Sequence, residues 1–351
     1  IEAFCNNIDL RTQYGNCGSY FLNITYDMNS LVSIIIPVYN SEKYLCKLFD
    51  SIVCQTSSCI EVIIVDDCSS DGSIGICREY CEKNSNFKLY EQPFNMGVSI
   101  ARNLGLSKAN GKYVLFVDSD DWLDRDYVKR MSDALEIKSV DLVVCGMIDV
   151  GIDDTKKKVV NDFAILENLN IADEYYRLIT LQRMTSPCCK LYKTEIIRNN
   201  KILFSKDINF AEDKEFNAKY IACSNSALIL DYCGYYYRCG VLGSLSSRVH
   251  HDRFSTEYNI WKIKYDDVLR RKIFSDPIIR YLSHELYFII SDYIYSSNNL
   301  SYICPQIDEK SLFFLKKNMN KVKKRNALCS FFINNNLIET YKCIRVLFHQ
   351  R

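Results

Sequence analysis

Asp118, Asp120 and Asp121 place three carboxylates within four residues, directly after the apolar run Tyr113-Val114-Leu115-Phe116-Val117. A buried strand has no packing reason to end in clustered acids. Like charges a few ångströms apart repel unless a cation or a shared proton intervenes, and hard oxygen ligands suit Mg²⁺ or Mn²⁺. The spacing therefore predicts a divalent-cation site, against the plainer reading of a solvated acidic turn. A second acid pair, Asp66-Asp67, ends the apolar run 60–65, and a third, Glu212-Asp213, sits where a helix begins. There the helix dipole favours an ionised carboxylate, the form a general base needs.

These acids need elements to hold them. Residues 31–40 (LVSIIIPVYN) are rich in β-branched side chains and read as a strand buried on both faces, with Pro37 expected to stop its ladder. Leu45, Leu48, Phe49, Ile52 and Val53 then recur at helical spacing, so 41–54 reads as an amphipathic helix capped by Ser41. Strand, helix and strand follow one another, with polar residues at the strand ends. Ligands of open parallel sheets bind beyond the carboxyl ends of the strands, which brings residues 37–40, Asp66-Asp67 and 118–121 to one crevice. Asn95, Gly97, Arg102 and Asn103 form a further group. Gly97 permits close backbone approach, and the helix that follows points its N-terminus at the same edge.

Taken in order, the segments 33–40, 65–72, 95–105, 118–121 and Ala211-Glu212-Asp213 resemble the inverting family 2 glycosyltransferases of GT-A fold, over residues 31–247. The resemblance implies that Pro37, Tyr39 and Asn40 line a nucleoside, with Asp67 accepting a base N–H, a task suited to an acceptor-only carboxylate. It implies that Asn95, Gly97 and Arg102 approach the nucleotide, Arg102 offering phosphate-matching geometry. Asp118 would face the sugar side, and Asp120 would bind the Mg²⁺ or Mn²⁺ that offsets charge on the departing diphosphate. Asp213 would be the base and Glu212 its support. Arg238 and Ser244 are secondary nucleotide candidates. Lys190 is assigned to the acceptor or to charge balance, and Trp122 to a pocket wall or to packing. The tyrosines of 235–237 read as core and rim.

The totals fit such an enzyme. A chain of 351 residues accommodates an α/β catalytic domain and an appendage, and a formal charge of +1 argues against a nucleic-acid binder. Seventeen cysteines show no zinc spacing and fit reduced, buried thiols of a cytoplasmic protein. Helices are expected at 251–272, 276–296, 309–323 and 326–348, none apolar enough to span a bilayer. From Ser311 onward nine Lys and Arg face the single acid Glu339, with phenylalanines interleaved. That tail fits either an anionic membrane surface bound peripherally or a helical lid or dimer contact.

The expected architecture is an α/β domain at 28–247, a mostly parallel sheet flanked by helices, and a helical region at 248–351. Residues 1–27 read as an extension ahead of an initiating Met28. The expected activity is inverting transfer of a sugar from a nucleoside-diphosphate sugar, a UDP-sugar, to a glycan or lipid-linked acceptor. A sugar nucleotidyltransferase and a non-catalytic binding protein are the alternatives. The first is disfavoured because no Gly-rich, basic phosphate loop follows the first strand; the second, because both Asp120 and Asp213 are present.

Overall fold

The computed structural model describes residues 32–181, 184–208, 210–240, 253–296 and 307–322, with Ser330, Ile333 and Asn334. The extension 1–27, Met28, Ser244 and most of the basic tail lie outside the described residues. The chain divides into two compact units. The first takes the described residues of Ile1–Leu169, Arg177–Asp207 and Glu212–Ser244; the second takes those of Asn170–Tyr176, Ile208–Ala211 and Leu245–Arg351.

The first unit is built on one ten-stranded sheet. Its strands are β1 (Val32–Val38), β2 (Ile60–Asp66), β3 (Phe87–Glu91), β4 (Tyr113–Phe116), β5 (Trp122–Leu123), β6 (Leu142–Val150), β7 (Lys156–Val159), β8 (Ala164–Leu166), β9 (Lys190–Lys193) and β10 (Ala227–Arg238). Along the main path they run in the order β3-β2-β1-β4-β9-β6-β10-β5. The neighbours β3, β2, β1 and β4 are parallel, and β6 and β10 run the same way. β9 enters antiparallel between β4 and β6, so the half of the sheet beyond β4 is mixed. The six co-directed strands all finish on one edge.

Burial explains the strand choice. β1 and β2 are buried at every position, as the continuous Val/Ile runs require of a doubly covered sheet. Helix α1 (Glu42–Val53) lays Leu45, Leu48, Phe49 and Ile52 on the sheet. Helices α2 (Ser73–Lys83) and α3 (Val98–Lys108) complete the crossovers, and Gly105 of α3 approaches β1 so closely that a Cβ there would collide with the Ile35 side chain. Helices α4 (Tyr127–Ile137), α5 (Thr194–Asn199) and α6 (Glu212–Cys223) follow.

Two local expectations are corrected. Pro37 does not end β1, which continues to Val38, with Pro37 opposite Val65 of β2. Ile35 accepts from Val117 N and Val38 from Asp67 N, so odd positions of β1 bond toward β4 and even ones toward β2. The missing N–H of Pro37 therefore points past Phe116, the last paired residue of β4, and breaks nothing. Nor does the Ser41 hydroxyl cap α1: it bonds the Tyr39 carbonyl at 3.1 Å and the Ser119 hydroxyl at 2.7 Å. Asp71 does the capping instead. Its Oδ2 accepts from Glu42 N at 3.1 Å and its Oδ1 from Ser73 N at 3.0 Å, so one carboxylate serves both α1 and α2.

The second unit packs helices α7 (Arg253–Arg271), α8 (Asp276–Ser296) and α9 (Glu309–Lys317); the first two keep close to the spans read from the sequence, α9 stops at Lys317 rather than 323, and the helix expected at 326–348 lies almost wholly outside the described residues. Trp261 is fully buried there and donates its indole N–H to the Leu282 carbonyl at 2.9 Å. Among the described residues no helix is long and apolar enough to cross a membrane.

Candidate active site

Asp118 follows β4 at the carboxyl edge and is held from three sides. Arg102 Nη2 donates to its Oδ1 at 3.0 Å, the Cys188 thiol to its Oδ2 at 3.4 Å, and its own N–H goes to the Tyr235 hydroxyl at 3.1 Å. Arg102 lies in α3, is 5 % exposed, and with Nη1 also reaches Glu212 Oε1 at 3.2 Å. One buried guanidinium thus joins the acid after β4 to the acid that opens α6. Its cationic form is reinforced, since attraction to Asp118 and Glu212 overcomes the cost of burial. A side chain assigned to phosphate is here engaged by carboxylates.

Asp213 follows Glu212 in the first turn of α6, its Oδ1 accepting the Lys214 N–H at 2.7 Å. Burial, then the neighbouring Glu212, push its carboxyl up to about 6, while Arg102 pulls the other way. That value leaves it largely ionised and still basic near neutrality, as a general base requires.

Asp120 is half-buried and makes no ion pair among the described residues. Burial and the adjacent Asp118 raise it to about 6, with Arg238 offsetting in part. Among the described residues no three His, Cys, Asp or Glu side chains are grouped to hold a metal ion. Asp120 fits a divalent cation as a hard oxygen ligand whose charge burial penalises, and a ligand's own oxygens would have to complete such a site. Asp121, by contrast, is internally satisfied. At 1 % exposure it accepts the Tyr235 O–H at 2.6 Å and the Arg238 N–H at 2.8 Å, which fastens the acidic turn to β10. Arg238 Nε donates to the Asp120 carbonyl at 3.0 Å.

The β2 edge presents a second cluster. Asp67 is 3 % exposed and accepts Gln92 Nε2 at 2.5 Å, Met96 N at 2.6 Å and Gly97 N at 2.8 Å. Three protein donors leave about one of its four lone-pair positions for a ligand. Gly97 has φ 90°, a conformation that favours glycine, and opens α3. Asn40 has φ 47° and accepts the Ser70 N–H at 2.8 Å, while its own N–H donates to Ser69 at 3.0 Å. Tyr39 is 50 % exposed, Asn95 is exposed, and Pro37 is buried. Left-handed backbone at the non-glycine residues Asn40, Cys68 and Cys189 concentrates strain around this edge.

Other candidates have structural partners. Asn103 exchanges two hydrogen bonds with the Phe204 backbone, at 2.7 and 2.9 Å. Lys190 is 1 % exposed and donates to the carbonyls of Ser186 at 2.5 Å and Cys188 at 3.3 Å, and burial lowers its basicity. Trp122 lies in β5 and stacks on Tyr236 with ring centroids 5.1 Å apart. Tyr235, read from the sequence only as core or rim, grips Asp118 and Asp121, while Cys188 and Gln92, which hold Asp118 and Asp67, carry no signal in the sequence as site residues. Their chemistry is too ordinary to stand out in it.

Comparison with known proteins accords with this geometry. The chain shares its fold with the crystal structure of Staphylococcus aureus TarS 1–349 in complex with UDP, at a TM-score of 0.65, 23 % identity and 91 % coverage of either chain, which is the expected GT-A arrangement. It is 35 % identical over 226 residues to the glycosyltransferase GlyA of Streptococcus pneumoniae, covering 61 % of this chain and 31 % of GlyA. It is 32 % identical over 219 residues to the uncharacterized glycosyltransferase EpsJ of Bacillus subtilis, covering 60 % and 62 %. It is also 31 % identical over 210 residues to the poly(ribitol-phosphate) beta-N-acetylglucosaminyltransferase TarS, covering 58 % and 35 %. The chain thus spans less than two thirds of each of these relatives. The model of the family described as glycosyl transferase family 2 matches residues 33–200, from β1 through α5. Residues 33–200 of this chain are similar throughout to a glycosyl transferase family 2 domain.

Proposed function

We propose that this chain transfers the sugar of a nucleoside-diphosphate sugar, a UDP-sugar, to a hydroxyl of a glycan or lipid-linked acceptor, inverting the anomeric centre. The observation that carries the reading is Arg102. By pairing with both Asp118 and Glu212 it joins the acidic turn assigned to the donor with the helix start assigned to the base. Relatives named as glycosyltransferases and a shared fold with a protein crystallised with UDP-GlcNAc support the donor class.

In this reading Tyr39 offers an exposed ring to the base, and Asp67 its remaining lone pair to a base N–H. Asn95 and Gly97 approach the nucleotide, and Arg238 flanks the diphosphate. Asp120 would hold Mg²⁺ or Mn²⁺, which would supply charge neutralisation to the diphosphate. Asp118, fixed by Arg102, Cys188 and Tyr235, keeps one geometry toward the sugar. Asp213 accepts the proton of the attacking hydroxyl, Glu212 orients Arg102, and the hydroxyl oxygen bonds to the anomeric carbon as the bond to the diphosphate breaks. We place the reaction in a reducing, cytoplasmic setting and in assembly of a bacterial surface polysaccharide. The seventeen cysteines and the named relatives support that placement.

A panel of UDP-, GDP- and dTDP-sugars with Mn²⁺ tests the proposal. Release of UDP, faster with an acceptor present, is the expected result. Release of pyrophosphate would make the protein a nucleotidyltransferase, and no turnover with any donor a binding module.

A further inference from the structure

A cavity of about 440 Å³ opens beside the acidic turn, lined among others by Lys47 of α1, Trp122 of β5, Lys156 of β7 and Tyr236 of β10. Its cations are set by aromatic faces rather than by acids. The Lys47 ammonium lies 3.3 Å from the centre of the Trp122 ring, Trp122 and Tyr236 stack with planes 8° apart, and the Lys156 ammonium lies 5.5 Å from the Tyr236 ring. The Arg238 guanidinium sits 5.0 Å from Trp122. Among the described residues none of these three cations makes an ion pair with a carboxylate.

Two acids share the wall. Asp124 accepts the Asp126 N–H at 3.2 Å, and Asp154 is the acid whose attraction acts on Lys47. Ring faces attract an ammonium, but they do not satisfy its N–H groups as an anionic oxygen would. Lys47 and Lys156 therefore bring two ammonium groups with unspent donors into the cavity wall. The cavity is also tied to the catalytic turn: Arg238 is bonded to the backbone of Asp120 and to the carboxylate of Asp121, and Trp122 is the next residue.

We propose that this cavity is a subsite for an anionic group, a phosphate or a carboxylate, carried by the acceptor. The inference rests on the glycosyltransferase reading and narrows it, since it makes the acceptor an acidic polymer or acidic lipid-linked glycan. Lys47 and Lys156 contact the anion directly, and the stacked Trp122 and Tyr236 keep the ammonium groups apart and aimed at it.

Calorimetric titration of the full chain, saturated with UDP and Mn²⁺, tests this with three probes: a glycerol-phosphate oligomer, an oligogalacturonate and a neutral oligosaccharide of similar length. The wild-type protein should bind at least one polyanion and bind the neutral probe more weakly. Lys47→Ala and Lys156→Glu should each weaken polyanion binding by about tenfold or more, the worth of one charge-assisted hydrogen bond. UDP affinity and melting temperature should stay unchanged, because both lysines are exposed. Preference between the two polyanions assigns phosphate or carboxylate. Equal polyanion affinity in wild type and variants overturns the subsite, as does failure of the wild type to bind either polyanion. Displacement of UDP by the polyanion overturns it too, placing the anion in the donor site. A wild-type protein that binds polyanion without binding UDP sinks the donor reading and the acceptor role together, while leaving the lysines as an anion site.

Discussion

Arg102 Nη1 lies 3.2 Å from Glu212 Oε1, across a sequence separation of 110 residues, and the same guanidinium holds Asp118 at 3.0 Å. The arginine is buried, so removing it leaves two carboxylates facing each other without a cation. Arg102→Met should lower transfer sharply and raise the acid limb of the kcat/KM profile above its wild-type position. The sign follows from Arg102's pull on Asp213 toward the charged form; without it the proton is held to higher pH. A limb that stays in place would detach Arg102 from the base.

Asp213→Asn should keep UDP and metal affinity but lose transfer by about 10²- to 10⁴-fold, the usual worth of a general base. In the wild type, turnover should fall as pH drops through about 6, where Asp213 takes up a proton. The check is a pH–rate profile on a working acceptor, with UDP binding measured in parallel. If Glu212→Gln is the more damaging change, the base has been misassigned within the pair.

Asp120→Asn should weaken Mn²⁺-dependent UDP binding and, without metal, raise the melting temperature at pH 7.5. Asp120 has a folded-state pKa near 6, above the ordinary 3.8, so its ionised form is disfavoured in the fold. Its stability penalty is therefore absent below about 4 and complete above about 6. The variant's thermal advantage should fade over that interval. EDTA should reduce UDP binding of the wild type to the level of the variant.

Tyr235→Phe should cost about 1–3 kcal/mol, because Asp121 loses the 2.6 Å donor that serves a nearly fully buried oxygen. The same hydroxyl accepts from Asp118 N, so turnover should fall with stability. Denaturant unfolding separates the two readouts. An unchanged midpoint would mean that water takes the place of the hydroxyl.

Gly105→Ala should destabilise by about 1–3 kcal/mol, since the added methyl meets the Ile35 side chain in the packed face between α3 and β1. Donor affinity at temperatures well below melting should survive, as neither residue reaches the strand edge.

The edge strand β3 (FKLYE) is half exposed and carries no apolar run, but β1 and β2, buried at every position, are legible in their Val/Ile runs. The mixed half is not. β9 is four residues long, and its antiparallel entry between β4 and β6 depends on partners far away in the chain. At the site, acids at strand ends announce themselves because burial ordinarily excludes them. The residues that grip them do not: Tyr235 sits within three consecutive tyrosines, and Cys188 beside a second cysteine. Pro37 and Ser41 show the limit of local rules. Whether a missing N–H matters depends on where a neighbouring strand ends, and a serine at a helix start can be claimed by a loop such as Ser119.

The shared cap at Asp71 has a mechanical meaning. Both oxygens of one exposed carboxylate are engaged, one by the first turn of α1 and one by that of α2, and the loops after β1 and β2 run into those turns. The two loops are riveted at a single point, so they should open together. Amide hydrogens of both first turns should then exchange at a common rate, and Asp71→Ala should release both in one step.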